Sequence, residues 1–272
     1  MAKIPAKVLS RLVSSLKKFQ AVLENAKAKD INESDTVAIV IDMLAELYGY
    51  DKYSEVTSEL AVKRSRCDLA IKTESKLRFI IEVKAIGLDL KDDHINQVVD
   101  YGCNKGVEWV ILTNGIFWKI FAIRFGKPIG SELVYEFNIL ELNPKRPSDL
   151  ELLYYVSKES LGKSALEEYK LQQQILSKYF IGQVLTTKPV LDSIRKTIKK
   201  INTGVKVSVE EIKNVLVYDV LKREVLEDEK SDEAKRRINK VFKTMGKKER
   251  SHKENATGTK ELTPEQKLST DK

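Results

Sequence analysis

Two acids and a lysine stand in the most apolar part of the chain. In Leu77–Ala85 the run Phe79, Ile80, Ile81 and Val83 is aromatic and β-branched and predicts a buried strand, which Glu82 and Lys84 interrupt. Side chains two apart on a strand share a face, so this carboxylate and this ammonium project together. Taken alone, that spacing also suits a structural ion pair or a wet edge strand. Asp68 adds a second acid: it lies in another β-like run, Cys67 to Ile71, and the intervening Thr73-Glu74-Ser75-Lys76 is a polar turn of hairpin length. The two strands are therefore expected to pair and bring Asp68 beside Glu82. Carboxylates held together repel, and a divalent cation with oxygen ligands relieves the repulsion, so a magnesium site is the sharper expectation. Lys84 would then face the attacking water or the charge growing on a phosphate, as metal-assisted phosphodiester hydrolysis requires.

The elements around these residues must hold them in place. Residues 31–48 predict a helix with Asn32 as N-cap, Asp35 in the first turn, and Val37, Val40, Ile41, Leu44 and Leu47 as its buried stripe. Residues 53–59 alternate and begin the strand that precedes Asp68. A helix over 89–104 puts Gln97 and Tyr101 one turn apart on a shared face, with His94 as a surface residue. Residues 110–123 predict two strands joined at Asn114-Gly115, a hairpin signal in its own right. The order helix, three strands, helix, two or more strands fits an α/β domain with a mixed central sheet flanked by helices.

At these residues the chain resembles a known family. Asp68, Glu82, Val83 and Lys84, in the pattern D-x13-E-V-K, resemble the active-site signature of the PD-(D/E)XK nuclease superfamily. More narrowly, residues 31 to about 125 resemble the N-terminal nuclease domain of type I restriction enzyme R subunits. Gln97 to Tyr101 is similar to that family's Q-x-x-x-Y element, Thr113-Asn114-Gly115 to its T-N-G turn, and Glu33 stands where its opening helix carries an acid. Cys67 departs from the pattern, occupying the place where proline often precedes the aspartate. The resemblance implies a restriction-endonuclease-like core and a magnesium- or manganese-dependent nuclease, DNA endonuclease foremost, of restriction or phage-defence type. It also implies roles: Asp68, Glu82 and the Val83 carbonyl as metal ligands, Lys84 as the activating cation, Gln97 as an orienting group, and Glu33 and Tyr101 as accessories. A non-catalytic nucleic-acid-binding or regulatory subunit that keeps the fold is the alternative.

The rest of the chain bounds these expectations. Residues 1–30 predict an amphipathic helix, 31–143 the nuclease-like domain, 144–245 a helical region that could receive a protein partner, and 246–272 a disordered basic tail. Within the helical region, Ser148 with Glu151 and Ser208 with Glu211 read as capping boxes, and helices are expected over 164–181, 188–201 and 208–228. The net charge of +8 divides into +7 over 235–272, +5 over 1–30 and −4 between, so attraction to nucleic acid is expected from the two ends. Two cysteines make no disulfide framework, and no apolar run is long enough to span a membrane, which suits a cytoplasmic protein. Gly162-Lys163-Ser164 is no phosphate-cradling loop, because Ser157 stands where that motif needs a glycine.

Overall fold

The computed structural model describes residues 3–62, 65–126 and 129–257; the side chains at 59–62, 65, 66, 92, 97, 101 and 246–257 lie outside the description. The chain divides into two compact units, Met1–Leu171 and Gln172–Lys272.

The first unit is built on six strands in chain order: β1 (Val56–Val62), β2 (Ser65–Thr73), β3 (Lys76–Val83), β4 (Trp109–Thr113), β5 (Phe117–Arg124) and β6 (Gly130–Asn138). All neighbours are antiparallel except β3 and β4, which run parallel across the crossover that holds α3 (Asn96–Lys105). The sheet is thus mixed and mostly antiparallel. Turn chemistry sets the β2–β3 pairing beside the turn, where Glu74 and Ser75 both take positive φ, the left-handed pair that a two-residue hairpin needs to match strand twist; a register shift between Ile71 and Lys72 then moves the pairing by one residue, which sets Asp68 across from Glu82 and not Ile81.

Alternation along the strands sorts side chains onto two faces. On one, Leu69, Ile71, Phe79, Ile81, Val83 and Ile111 join the core formed with α1 (Ala6–Ala28) and α2 (Glu33–Glu46). Leu12, Leu16 and Leu23 of α1 are fully buried there. The amphipathic N-terminal helix is accordingly part of the domain core. On the other face, Ala70, Ile80, Val110 and Leu112 pack with Val98 and Val99 of α3. Arg11 ties the helical layer together: its guanidinium donates at 2.7 and 2.6 Å to the Glu159 carboxylate and at 3.2 Å to the Leu47 carbonyl.

The sequence reading places α4 (Pro147–Val156) and α5 (Lys158–Leu161) in a separate helical region, yet Leu150, Leu153, Tyr154 and Val156 belong to the sheet's own core. No capping box opens α4. Pro147 starts it without needing an N–H partner, and Ser148 Oγ donates to the Asp149 carboxylate at 3.1 Å instead of capping.

The second unit is helical. The stretch expected as one helix over 164–181 is broken into α6 (Ala165–Ile175) and α7 (Lys178–Leu185), because Ser177 accepts from the Phe180 N–H as a new N-cap. Residues Lys188–Ile201 form α8, as periodicity predicts. The 208–228 stretch opens on a true capping box, with Ser208 and Glu211 bonded reciprocally, but divides into α9 (Val209–Val215), a π-helical turn over Leu216–Val220, and α10 (Arg223–Glu227). α11 runs from Glu229 to Thr257, so helix continues past residue 246, where the sequence suggests disorder. Its Lys-, Arg- and Glu-rich composition has high helix propensity. Residues 258–272 lie outside the described residues.

Candidate active site

The parallel pair β3–β4 ends at Val83 and Thr113, and the candidate residues gather at that carboxyl end. The β2–β3 register pairs Leu69 with Ile81, so one step further along, Asp68 stands across from Glu82. By alternation both share the face of Ala70 and Ile80, the one covered by α3. The hairpin expected from the sequence thus brings the two acids together.

Asp68 is fixed by the backbone: its carboxylate accepts a 2.7 Å hydrogen bond from the Val83 N–H. Lys84 Nζ donates to Glu82 Oε1 at 2.6 Å and lies 3.6 Å from Glu33 Oε2 at the start of α2. Glu82 and Lys84 are 12% and 18% exposed, whereas Glu33 is 50% exposed and its link to Lys84 is correspondingly screened. α2 is aimed at the site by its cap, since Asn32 Oδ1 accepts from the Asp35 N–H at 2.9 Å.

Three negative groups surround one ammonium, and the pKa directions follow from that imbalance. Burial raises the Asp68 carboxyl above its ordinary value, the Val83 N–H and Lys84 oppose this, and Glu33 adds to it. Burial likewise raises Glu82, and neither the hydrogen bond nor the charge of Lys84 cancels it; Asp68 and Glu33 push the same way. Burial would lower Lys84, but its hydrogen bond to Glu82 and the charges of Glu82, Glu33 and Asp68 outweigh that, and its pKa rises. The site therefore holds excess negative charge in partly dry surroundings, an arrangement that a hard dication would relieve. Among the described residues, no group of three or more His, Cys, Asp and Glu side chains is arranged to hold a metal ion. Side chains would thus supply only part of a shell here, and main-chain oxygen and water the rest.

The T-N-G turn has a role that sequence reading did not assign. Asn114, buried, donates to the carbonyls of Ile86 and Leu88 at 3.2 and 3.0 Å and accepts from the N–H groups of Ile116 and Phe117. Thr113 contributes its carbonyl to the Lys84 N–H at 2.8 Å. The β4–β5 turn is thereby stitched to the segment that follows Lys84. Gly115 takes φ +83°, and a Cβ there would meet Leu23 of α1 at 3.1 Å. The signal in the sequence was the turn-forming Asn-Gly pair; its long-range partners were not legible.

Gln97 and Tyr101 both fall on α3, one turn apart, but their side chains lie outside the described residues. His94 closes a short 3-10 turn over Asp92–Ile95, with Nδ1 accepting from the Lys91 N–H at 3.3 Å, and so has a local structural partner.

The mixed sheet thus carries two acids and a lysine at the end of its parallel strands. Residues 33–134, rather more than a third of the chain, match the family model described as type I restriction enzyme R protein N terminus (HSDR_N). The match runs from the first residue of α2 into β6 and contains Glu33, Asp68, Glu82, Lys84 and the Asn114 turn. The likeness read from the sequence holds over this stretch. No curated protein and no solved structure matches the chain.

Proposed function

We propose that the protein is a metal-dependent nuclease with a restriction-endonuclease-like PD-(D/E)XK core, cutting phosphodiester bonds of DNA in restriction or phage defence, in the cytoplasm where DNA is met. The observation that carries this reading is the pair of half-dry carboxylates, both raised in pKa, with one lysine between them. Structural ion pairs balance their charges; this cluster does not.

The donor set fits magnesium or manganese: Asp68, Glu82 and the Val83 carbonyl are hard oxygen ligands of the kind these ions take. A dication bound there would supply charge neutralisation and Lewis acidity toward a phosphate oxygen. The chain's own residues do the rest. The Val83 N–H holds Asp68 in one orientation, Glu82 holds Lys84, and the T-N-G turn fixes the segment behind it. Lys84 carries its positive charge to the place where charge develops on the phosphate, and Gln97 orients the nucleophilic water. Exposed Glu33 lies within Coulomb reach of Lys84 and tunes it, and Tyr101 stands one turn from Gln97.

The alternative is a binding module without catalysis that keeps the fold. One assay separates the two: wild-type protein, Asp68→Ala and Glu82→Ala with supercoiled plasmid in magnesium and in manganese. Nicking by the wild type alone supports the nuclease. Retarded but intact plasmid in every lane leaves the binding module.

A further inference from the structure

We infer that the helical unit carries a second nucleic-acid site, a basic cleft between α8, α9 and α11 that takes a phosphate-bearing nucleotide unit, free or within a strand. The division of charge points there first. Residues 172–272 hold 23 Lys and Arg against 15 Asp and Glu, so the whole net charge of +8 belongs to this unit and the sheet unit is neutral. A polyanion is drawn to the helices and not to the acids of the candidate active site.

Within that unit a cleft of about 1030 Å³ is lined by Lys188 and Lys196 of α8, Lys213 of α9 and Lys235 of α11. Among the described residues, Lys188, Lys196 and Lys235 have no ion-pair partner; Lys213 has only Glu210, at 4.0 Å and exposed. The single acid of the lining, Asp192, is engaged by Arg195 at 3.0 Å. Cations that are not neutralised by neighbours and that converge from three helices suit a ligand with spaced negative charge. The rest of the lining mixes polar Thr186, Ser193 and Asn239 with apolar groups, among which Ile238 is buried and Phe242 is 43% exposed. The volume is that of a site for an organic molecule and not for a lone inorganic anion. Phosphate on lysines and a base against an aromatic ring is how sequence-tolerant sites hold single strands. The choice of a nucleotide over another polyanion leans on the nucleic-acid reading of the sheet unit; the cleft itself does not depend on that unit's being catalytic.

The test uses the full chain, a short fluorescein-labelled oligothymidylate and EDTA throughout, so that cleavage plays no part. The double variant Lys196→Ala/Lys235→Ala is compared with Lys199→Ala/Lys200→Ala, which removes equal charge from exposed positions of α8 outside the cleft. The cleft variant should bind about tenfold more weakly near physiological salt, with a salt slope shallower by about 0.7 per lysine, while the control stays within about twofold of wild type. Phe242→Ala should weaken binding with the slope unchanged. Competition by adenosine monophosphate identifies a free nucleotide as sufficient, and competition by strands alone identifies the strand; both support the cleft. Equal losses in the two double variants, or oligoglutamate binding as tightly as the strand, would overturn it. Strand binding is read in EDTA and nicking in magnesium or manganese, so failure of the nuclease reading and failure of the cleft are read in different experiments.

Discussion

At the scale of single residues, the acids of the site oppose folding when no cation is bound. Asp68 and Glu82 have folded pKa values above the ordinary 3.8 and 4.5. A raised carboxyl binds its proton more tightly folded than unfolded. The metal-free protein therefore gains stability from these groups as pH falls through the raised values, and lacks that gain at neutral pH. Asp68→Asn keeps an acceptor for the Val83 N–H while removing the charge. In EDTA at neutral pH it should melt at or above the wild-type temperature, by up to about 1 kcal/mol of added stability, the usual trade between function and stability. That advantage should shrink on acidification, and millimolar manganese should raise the wild-type melting temperature by mass action while leaving the variant unmoved. Melting curves of the two proteins at two pH values, with and without manganese, check all three outcomes.

At the scale of elements, the parts set by local chemistry were legible and the parts set by tertiary competition were not. Asn32 and Asp35 mark the start of α2 and the polar Thr73–Lys76 turn marks the β2–β3 hairpin, whereas the register shift between Ile71 and Lys72 that sets Asp68 across from Glu82 has no local signature in the sequence. The α8 boundaries followed from apolar spacing and Pro189. Ser148 with Glu151 misled because Pro147 occupies the first helical position and Asp149 takes up the Asn143 N–H, leaving the box nothing to cap. Ser177 broke a helix because its hydroxyl competed for a backbone N–H, which apolar periodicity does not register. Asn114 was read as a turn residue; its bonds to Ile86 and Leu88 join segments that only the folded sheet brings together. Asn114→Ala would strand buried carbonyls and N–H groups, each worth about 1–3 kcal/mol when left unpaired. We expect a loss of about 3 kcal/mol overall in urea unfolding, and faster hydrogen exchange at 86–88 than elsewhere in the sheet unit. Asn114→Asp should be no rescue, because it would face two carbonyl oxygens with a negative charge. A variant as stable as wild type would show that the turn does not fasten this segment.

At the scale of the whole molecule, two jobs fall to two units: the sheet unit, neutral overall, offers the acids and lysine, and the helical unit carries the net positive charge. The sequence reading puts the attraction to nucleic acid at the two ends of the chain and disorder from residue 246, but α11 is helical to Thr257 and buries Ala234 and Ile238. Removing everything after residue 234 would therefore strip a packed helix as well as its charge. Residues 258–272 hold three basic and three acidic groups and no net charge. Their deletion should leave the salt slope of nucleic-acid binding and the melting temperature unchanged, whereas deletion from Lys235 should reduce both. A slope that falls on deletion of 258–272 alone would return the nucleic-acid role to the tail.

In the proposed mechanism Lys84 is a partner of the transition state and not merely of Glu82. If its work is confined to charge that appears during reaction, its loss should spare folding and substrate affinity. The most direct measurement is the single-turnover rate of plasmid nicking in manganese by Lys84→Ala beside wild type, with DNA affinity in calcium measured on the same preparations. We predict a fall of about a hundredfold or more in rate at unchanged affinity, the scale for removing one such electrostatic group, with arginine at this position giving only partial recovery because its fork is broader than an ammonium. A wild-type protein that binds DNA and never nicks it, with a variant altered in melting temperature alone, would contradict the account and leave Lys84 as the counter-ion of a buried glutamate.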